Sequence, residues 1–458
     1  MTLRIDYSNM MISPGGINPG AWKGAGRQFG AAKRGLESLR AGGTVGFVDL
    51  PSDKGLLDQV ERFAGGARGK YDDVVILGIG GSALGPIALR TALRPSGWNL
   101  LDEKSRGGYP RLHVLDNVDP ETIDALLRNL RLDRTLFMVT SKSGGTAETM
   151  AQFLIVHDRL TRAQLDVTKQ MVFITDPKQG ALRPLAERLS MPALDIPPSI
   201  GGRFSVLTPV GTLPAALIGI DVKSLLSGAA EMAKRCESPD LATNPAGVYA
   251  MLQWLADTTL AKKIVVFMPY SDPLRDFAAW FVQLWAESLG KHRPDGASVG
   301  STPLAALGAT DQHAQVQLFM EGPADKTVTF VAVEKRGTDV TIPAAFSDVK
   351  ELAYLGGHSL AELIDIEQRA TAGALAKRGR PNMTIHLERV DAAHVGELMM
   401  LLEIATAYAG QLYGIDAFNQ PGVELGKQFA YALLGRPGAD HARTEWESLP
   451  KSDPRWSV

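Results

Sequence analysis

Three hydroxyl side chains and two glycines crowd into Ser141-Lys142-Ser143-Gly144-Gly145-Thr146, directly after an apolar run over 135–140. Hydroxyl donors, the unpaired N–H groups of a helix start, and glycines that let a ligand come close are the parts of a phosphate site. An ordinary Ser/Thr cap between a strand and a helix uses the same residue types, so the stretch alone leaves both readings open. A second turn, Gly78-Ile79-Gly80-Gly81-Ser82-Ala83, fits G-x-G-x-x-A, the pattern of a dinucleotide-binding turn. That pattern wants a ribose-binding acid about 20 residues on, at the end of the next strand. Here the next strand ends much later, at Asp116, and Asp102 and Glu103 fall in a polar loop. Ser82 suits a sugar hydroxyl or a phosphate equally well.

Glu287 continues an apolar helical stripe made by Phe277, Trp280, Phe281, Leu284 and Trp285. A carboxylate on such a face is costly unless it is paired or opens into a cleft, and partial burial favours a general base working near neutral pH. The plainer alternative is an i,i+4 pairing with Lys291 at a helix end. Arg203 follows Gly201 and Gly202 and precedes an apolar stretch. Such a permanent cation suits a developing oxyanion, although loop arginines are also simply solvated. His313, near a helix start, could shuttle a proton or be structural. Lys427 shares a helical face with Val423, Ala430 and Leu434, and either snorkels or points its amine into a pocket.

These residues need a frame. Strand candidates at 74–77, 112–115, 136–140 and 172–175 alternate with helical stretches, the mark of a parallel sheet covered by helices. The pattern restarts near Ala246 with a helix over 251–260, a strand over 264–268 and a helix start at Ser271-Asp272-Pro273. Strands over 328–333 and 383–387, a very apolar helix over 395–412 and a final core helix over 421–434 follow. Helices around 21–38 and 56–64 lead in. The expected division is a helical N-terminal extension (1–70), a first α/β domain with the hydroxyl-rich loop (71–225), a second with Glu287, His313 and Lys427 (226–435), and a tail (436–458) whose two tryptophans suggest docking.

A chain of 458 residues is too long for one ordinary core, and 45% hydrophobic with 21% charged residues is a globular composition. The net charge of −2 gives no reason to expect nucleic acid or an acidic membrane as partner. Cys236 is the only cysteine, which rules out an intrachain disulfide and argues against a thiolate zinc site. The opening MTLRIDYSNMM lacks the order of a signal peptide, and no uncharged apolar run reaches about 18 residues. A cytoplasmic protein is expected.

Five stretches, in order GIGGSALGP, TSKSGGTAET, GGRFSVLTPVG, ESLGK with GATDQHAQVQL, and FNQPGVELGKQFA, span Gly78 to Ala430. Together they resemble the phosphoglucose isomerase family, the third and fifth matching its two signature patterns. The resemblance implies an α/β fold of two sugar-isomerase domains, each a mostly parallel sheet flanked by helices, with helical N- and C-terminal extensions. It implies interconversion of glucose 6-phosphate and fructose 6-phosphate through ring opening and a cis-enediol(ate), with no cofactor and no metal. On the matching positions, Ser141, Ser143 and Thr146 would hold the 6-phosphate, Lys142 would give at least its backbone, and Thr149 would complete the loop. Ser82, Gly202 and Gln420 would line the sugar. Glu287 would move the proton between C1 and C2, Arg203 would steady the intermediate, and His313 and Lys427 would open the ring. The family's histidine reaches the site from the neighbouring subunit, which implies a homodimer. Gly145 and Ala147 depart from the pattern, standing where many bacterial members carry threonines; Pro421 stands where animal members carry a tryptophan, and Pro198 where the signature has a polar or small residue. Alternatives are a dual-specificity phosphoglucose/phosphomannose isomerase, against which Gln420 weighs, an NAD-dependent oxidoreductase built on the Gly78 turn, and a sugar-phosphate sensor lacking catalysis.

Overall fold

Runs such as Asp73-Val74-Val75-Ile76-Leu77 have no polar face and are stable only in a sheet covered on both sides. The computed structural model, which describes residues 3–11 and 14–458, places them there, every residue of that run being buried. The chain forms two units, one ending at Ala417 and one comprising Phe418–Val458.

Numbered along the chain, the strands are β1 (Arg4–Asp6), β2 (Asp73–Leu77), β3 (Arg111–Leu115), β4 (Thr135–Thr140), β5 (Met171–Thr175), β6 (Ala193–Asp195), β7 (Ile264–Pro269), β8 (Lys291–His292), β9 (Ser298–Val299), β10 (Thr302–Ala305), β11 (Lys326–Val333) and β12 (Asn382–Leu387). One five-stranded sheet is all parallel in the order β3-β2-β4-β5-β6; the other runs β10-β7-β11-β12-β1, parallel except for β1. Both place their first long strand, β2 or β7, second from one edge. That leaves a switch point beside it, where open α/β sheets bind ligands at the carboxyl ends of their strands.

Three edge strands of the five-stranded sheets carry no sequence signal. β1 and β6 are only three residues long, too short for a period to show, and each sits at a sheet edge. β10 contains Pro303, which argues against a strand unless the missing N–H faces outward; β10 is an edge strand, so it does. The lead-in over 1–70 is therefore not wholly helical, because Arg4–Asp6 adds an antiparallel edge to the second sheet. The helix expected as a core element at the end of the chain is a short 3₁₀ turn, Pro421–Val423, and a helix, Glu424–Leu433. Only Ala432 of that helix is buried, and Leu425, Leu433 and the following Leu434 are exposed. Apolar spacing shows that a face seeks cover, not what covers it. In the same unit Phe429 meets Trp446 edge-on at 5.5 Å, whereas Trp456 is exposed.

The Ala392–Tyr413 helix is buried along nearly its whole length and carries Glu403 with it, 0% exposed, neither carboxylate oxygen having a hydrogen-bond partner among the described residues. Burial holds its pKa well above the ordinary value of 4.5, so the folded state keeps a proton that the unfolded chain releases. Stability contributed this way is present below the unfolded pKa and is lost as pH rises towards the folded one, by about 1.4 kcal/mol per pH unit. Glu403→Gln, equal in shape and never charged, should abolish that slope. Urea melts between pH 5 and pH 8 should show wild type losing stability relative to the variant, and parallel curves would contradict it.

Candidate active site

β4 ends at Thr140, and the chain turns through Ser141–Gly145 into the Ala147–Arg162 helix, with Thr146 at its N-cap position. Thr146 makes no capping hydrogen bond to its own helix. Its hydroxyl instead lies 3.0 Å from Ser141 Oγ and 3.2 Å from Ser143 Oγ, which are 3.4 Å from each other. Three hydroxyls thus converge over the positive end of a four-turn helix. Gly144 takes φ +61°, and a Cβ there would stand about 3.1 Å from the Gly180 and Ala181 backbone, so the turn closes only with glycine. Lys142 turns away: its ammonium donates to the Pro198 carbonyl at 3.0 Å, and burial lowers its pKa against the pull of Asp176. Thr149 lies one turn into the helix, 1% exposed, with an unpartnered hydroxyl.

The glycine-rich turn after β2 forms a 3₁₀ element, Gly80–Ser82, that runs into the Leu84–Leu93 helix with Ser82 half-buried at the junction. A Cβ on Gly81 would lie 2.2 Å from the Gly202 carbonyl oxygen. This glycine is set by that close approach, which draws the Gly202–Phe204 turn, and Arg203 with it, alongside. Gly202 itself is exposed, and nothing lies within 4 Å of where its Cβ would be.

Arg203 is buried, not solvated. At 4% exposed, its guanidinium donates from Nε to Ser288 Oγ at 2.7 Å and from a terminal nitrogen to the Ala417 carbonyl, and it faces Glu287 Oε1 at 3.3 Å. Burial draws its pKa below the ordinary arginine value, with the Glu287 and Asp416 charges opposing. Glu287, on the Arg275–Leu289 helix, keeps its side chain 28% exposed and accepts from Gln283 Nε2 at 3.0 Å. Lys291 does lie one turn on, but it does not pair with the carboxylate. Its ammonium caps the end of the helix, donating to the carbonyls of Glu287 (3.0 Å) and Ser288 (2.7 Å). The carboxylate is left to Arg203 and Gln283, a base next to a cation that can hold the charge the base creates.

Lys291 also titrates within reach of ordinary assays. Burial and the Arg203 charge lower its pKa to about 8, against the pull of Asp416 and Glu287. Below that pH its positive charge supports anionic chemistry beside Arg203, and above it that support is withdrawn. The rate should therefore fall through an alkaline limb near pH 8 that disappears, at a lower plateau, in Lys291→Met. A pH profile of kcat/KM from 6.5 to 9.5 checks this, and an unchanged limb in the variant would exclude Lys291 as its source.

His313 ends the Thr310–His313 turn with its ring exposed, and shares no hydrogen bond or ion pair with these groups among the described residues. Gln420 and Lys427 belong to the Phe418–Val458 unit, where Gln420 precedes the Pro421–Val423 turn and Lys427, half-exposed, pairs with Glu424 at 2.9 Å. The residues that sequence reasoning missed are Gln283, Ser288 and the true role of Lys291. Gln283 had a signal, standing four residues before Glu287 on one helical face; Ser288 had none, because its partner is 85 residues away. Among the described residues no group of three or more His, Cys, Asp or Glu could hold a metal ion, and no helix is long and apolar enough to cross a membrane.

The family model for phosphoglucose isomerase matches residues 54–452. A glucose-6-phosphate isomerase of Carboxydothermus hydrogenoformans is 44% identical over 464 aligned positions, covering 100% of this chain and 99% of the relative. Among solved structures, a hypothetical protein from Thermus thermophilus superposes with a TM-score of 0.85 at 39% identity, covering 95% of this chain and 100% of the other. A glucose-6-phosphate isomerase from Chlamydia trachomatis gives a TM-score of 0.73 at 25% identity, covering 85% and 76% respectively.

Proposed function

The chain belongs to the phosphoglucose isomerase family, and from that premise we propose a division of labour among its site residues. The reaction is the interconversion of glucose 6-phosphate and fructose 6-phosphate, on a fold of two sugar-isomerase sheets flanked by helices. The observation that carries the assignment of roles is the Glu287 carboxylate held 3.3 Å from the buried Arg203 guanidinium. A carbon next to a carbonyl gives up its proton reluctantly, so the base needs a cation opposite to hold the new charge.

In this reading Ser141, Ser143 and Thr146 bind the 6-phosphate, helped by the backbone of Lys142 and by Thr149. Ser82, Gly202 and Gln420 line the sugar. Once the ring is open, Glu287 lifts the proton from C2 and returns it to C1, and Arg203 stabilises the cis-enediolate between those two steps. Gln283 holds the carboxylate in place for both transfers. Ring opening falls to His313 and Lys427. The exposed ring of His313 supports a contribution across the interface of a homodimer, since the imidazole has no partner in its own chain among the described residues. We further propose that each sheet with its helices acts as one sugar-isomerase domain, and that the protein works in the cytoplasm.

A dehydrogenase-coupled assay of fructose 6-phosphate conversion, with mannose 6-phosphate as second substrate, tests the reading. Turnover of fructose 6-phosphate alone is the expected result. Binding of sugar phosphate without turnover would make the chain a sensor and remove the roles given to Glu287 and Arg203.

A further inference from the structure

Four strands of each sheet share one order, β3-β2-β4-β5 and β10-β7-β11-β12, and the turn after β7 stands in the second where the glycine-rich turn after β2 stands in the first. The helices that follow, Leu84–Leu93 and Arg275–Leu289, pack side by side and antiparallel. At one end a Cβ on Gly80 would meet Gln283 Nε2 at 2.9 Å, and at the other Thr91 Oγ1 bonds to the Asp276 carboxylate. The first end is the candidate active site. The second, about 10 Å away along the helix from Gln283 to Asp276, borders a cleft of about 400 Å³ lined by Arg90, Arg94, Trp98, Asp272, Pro273 and Arg275, at the start of the second sheet's helix.

This end carries three arginines, Arg90, Arg94 and Arg275, against two carboxylates, Asp272 and Asp276. Arg90 is half-buried, donates to the Leu112 carbonyl at 3.0 Å, and has no ion pair among the described residues. Arg94 is half-buried, its Nε enclosed without a hydrogen-bond partner and its guanidinium 5.1 Å from the Trp98 ring centroid. Burial lowers the pKa of both. Asp272 is taken by Arg275 at 3.3 Å, and Asp276 by Thr91. Asp276, already bonded to Thr91, acts on Arg90 from a distance, and no carboxylate acts on Arg94; holding both cations partly out of water is costly, and the cost falls when an anion enters. The start of the Arg275–Leu289 helix adds its partial positive charge. Guanidinium forks around a helix start match the oxygens of a phosphate, and the volume is that of a small-molecule site. No carboxylate base faces a hydroxyl cradle here, so the chemistry is binding, not isomerisation.

We propose that this cleft is a second, non-catalytic site for a phosphate-type dianion, separate from the Ser141, Ser143 and Thr146 cradle and at the far end of the helix pair from Glu287. Calorimetric titration of the full chain with pyrophosphate tests it. Wild type should show two classes of site. Ser141→Ala/Ser143→Ala/Thr146→Val should keep the cleft site, and Arg90→Met/Arg94→Met should keep only the other. Arg275→Glu, an exposed change that leaves the fold alone, should weaken the cleft site by roughly tenfold or more. A single site in wild type that the hydroxyl variant abolishes would overturn the proposal, as it would if a neighbouring copy already filled the cleft. So would two sites unchanged by both arginine variants.

Discussion

Glu287→Gln is expected to lower kcat for fructose 6-phosphate conversion by about 10²–10⁴-fold, the usual contribution of a positioned general base. The amide keeps the length and shape of the carboxylate and can still accept from Gln283, now 3.0 Å from the acid. What it loses is basicity, and with it the means of lifting a proton from carbon. The substrate's phosphate is held elsewhere in the proposed site, so KM should move by no more than about twofold. Thermal stability should fall modestly, because the buried Arg203 loses the charge facing it at 3.3 Å while Asp416 remains. A kcat above a tenth of the wild-type value would remove Glu287 from the role.

Arg203→Met should fail on two counts. Losing the cation that faces the intermediate should cost about 10²–10³ in kcat, the range for removing one oxyanion-stabilising donor. The same change leaves Ser288 Oγ, the Ala417 carbonyl and Glu287 Oε1 without the group that now bonds or faces them. That should lower stability by about 2–3 kcal/mol, short of the fully buried ion-pair case because Glu287 reaches solvent. Arg203→Lys separates the two effects. It keeps a charge but lacks the planar fork that serves three partners at once, so it should recover part of kcat and little of the stability. Steady-state kinetics and urea midpoints on both variants give the comparison. Equal activity in the methionine and lysine variants would mean that the charge of Arg203 plays no part in the chemistry.

Cys236, the lone cysteine, is buried in the fold. It is 3% exposed, and burial pushes its thiol up to about 12, so it is inert to oxidation and to thiol reagents while the protein is folded.

Local chemistry made part of this site legible in the amino-acid sequence. Ser141, Ser143 and Thr146 could be found because hydroxyls and glycines after an apolar strand form a pattern, and the structure brings their oxygens within 3.4 Å of one another. Glu287 could be found because helical spacing sets it against an apolar stripe. The central β2, β4, β5, β7, β11 and β12 could be found because buried parallel strands are continuously apolar. The rest depends on contacts that no local period encodes. Arg203 reads as a loop residue in sequence, and only its bonds to Ser288 and Ala417, 85 and 214 residues away, make it a buried cation. Lys291 has the right spacing for an ion pair with Glu287, yet the helix end offers its carbonyls and the carboxylate already has Arg203 and Gln283. Edge strands such as β1 and β10 form because a neighbouring strand exposes unpaired backbone groups, a requirement that lies in the partner and not in Arg4–Asp6 or Thr302–Ala305.

The central claim is that one carboxylate, Glu287, carries the proton between C2 and C1. The most direct measurement is deuterium incorporation during isomerisation in D₂O, followed by NMR of the sugar carbons, for wild type beside Glu287→Gln. Wild type should place solvent deuterium at C2 of glucose 6-phosphate and C1 of fructose 6-phosphate, and the variant should lose exchange and conversion in parallel. Exchange or conversion persisting at the wild-type rate in Glu287→Gln would contradict it.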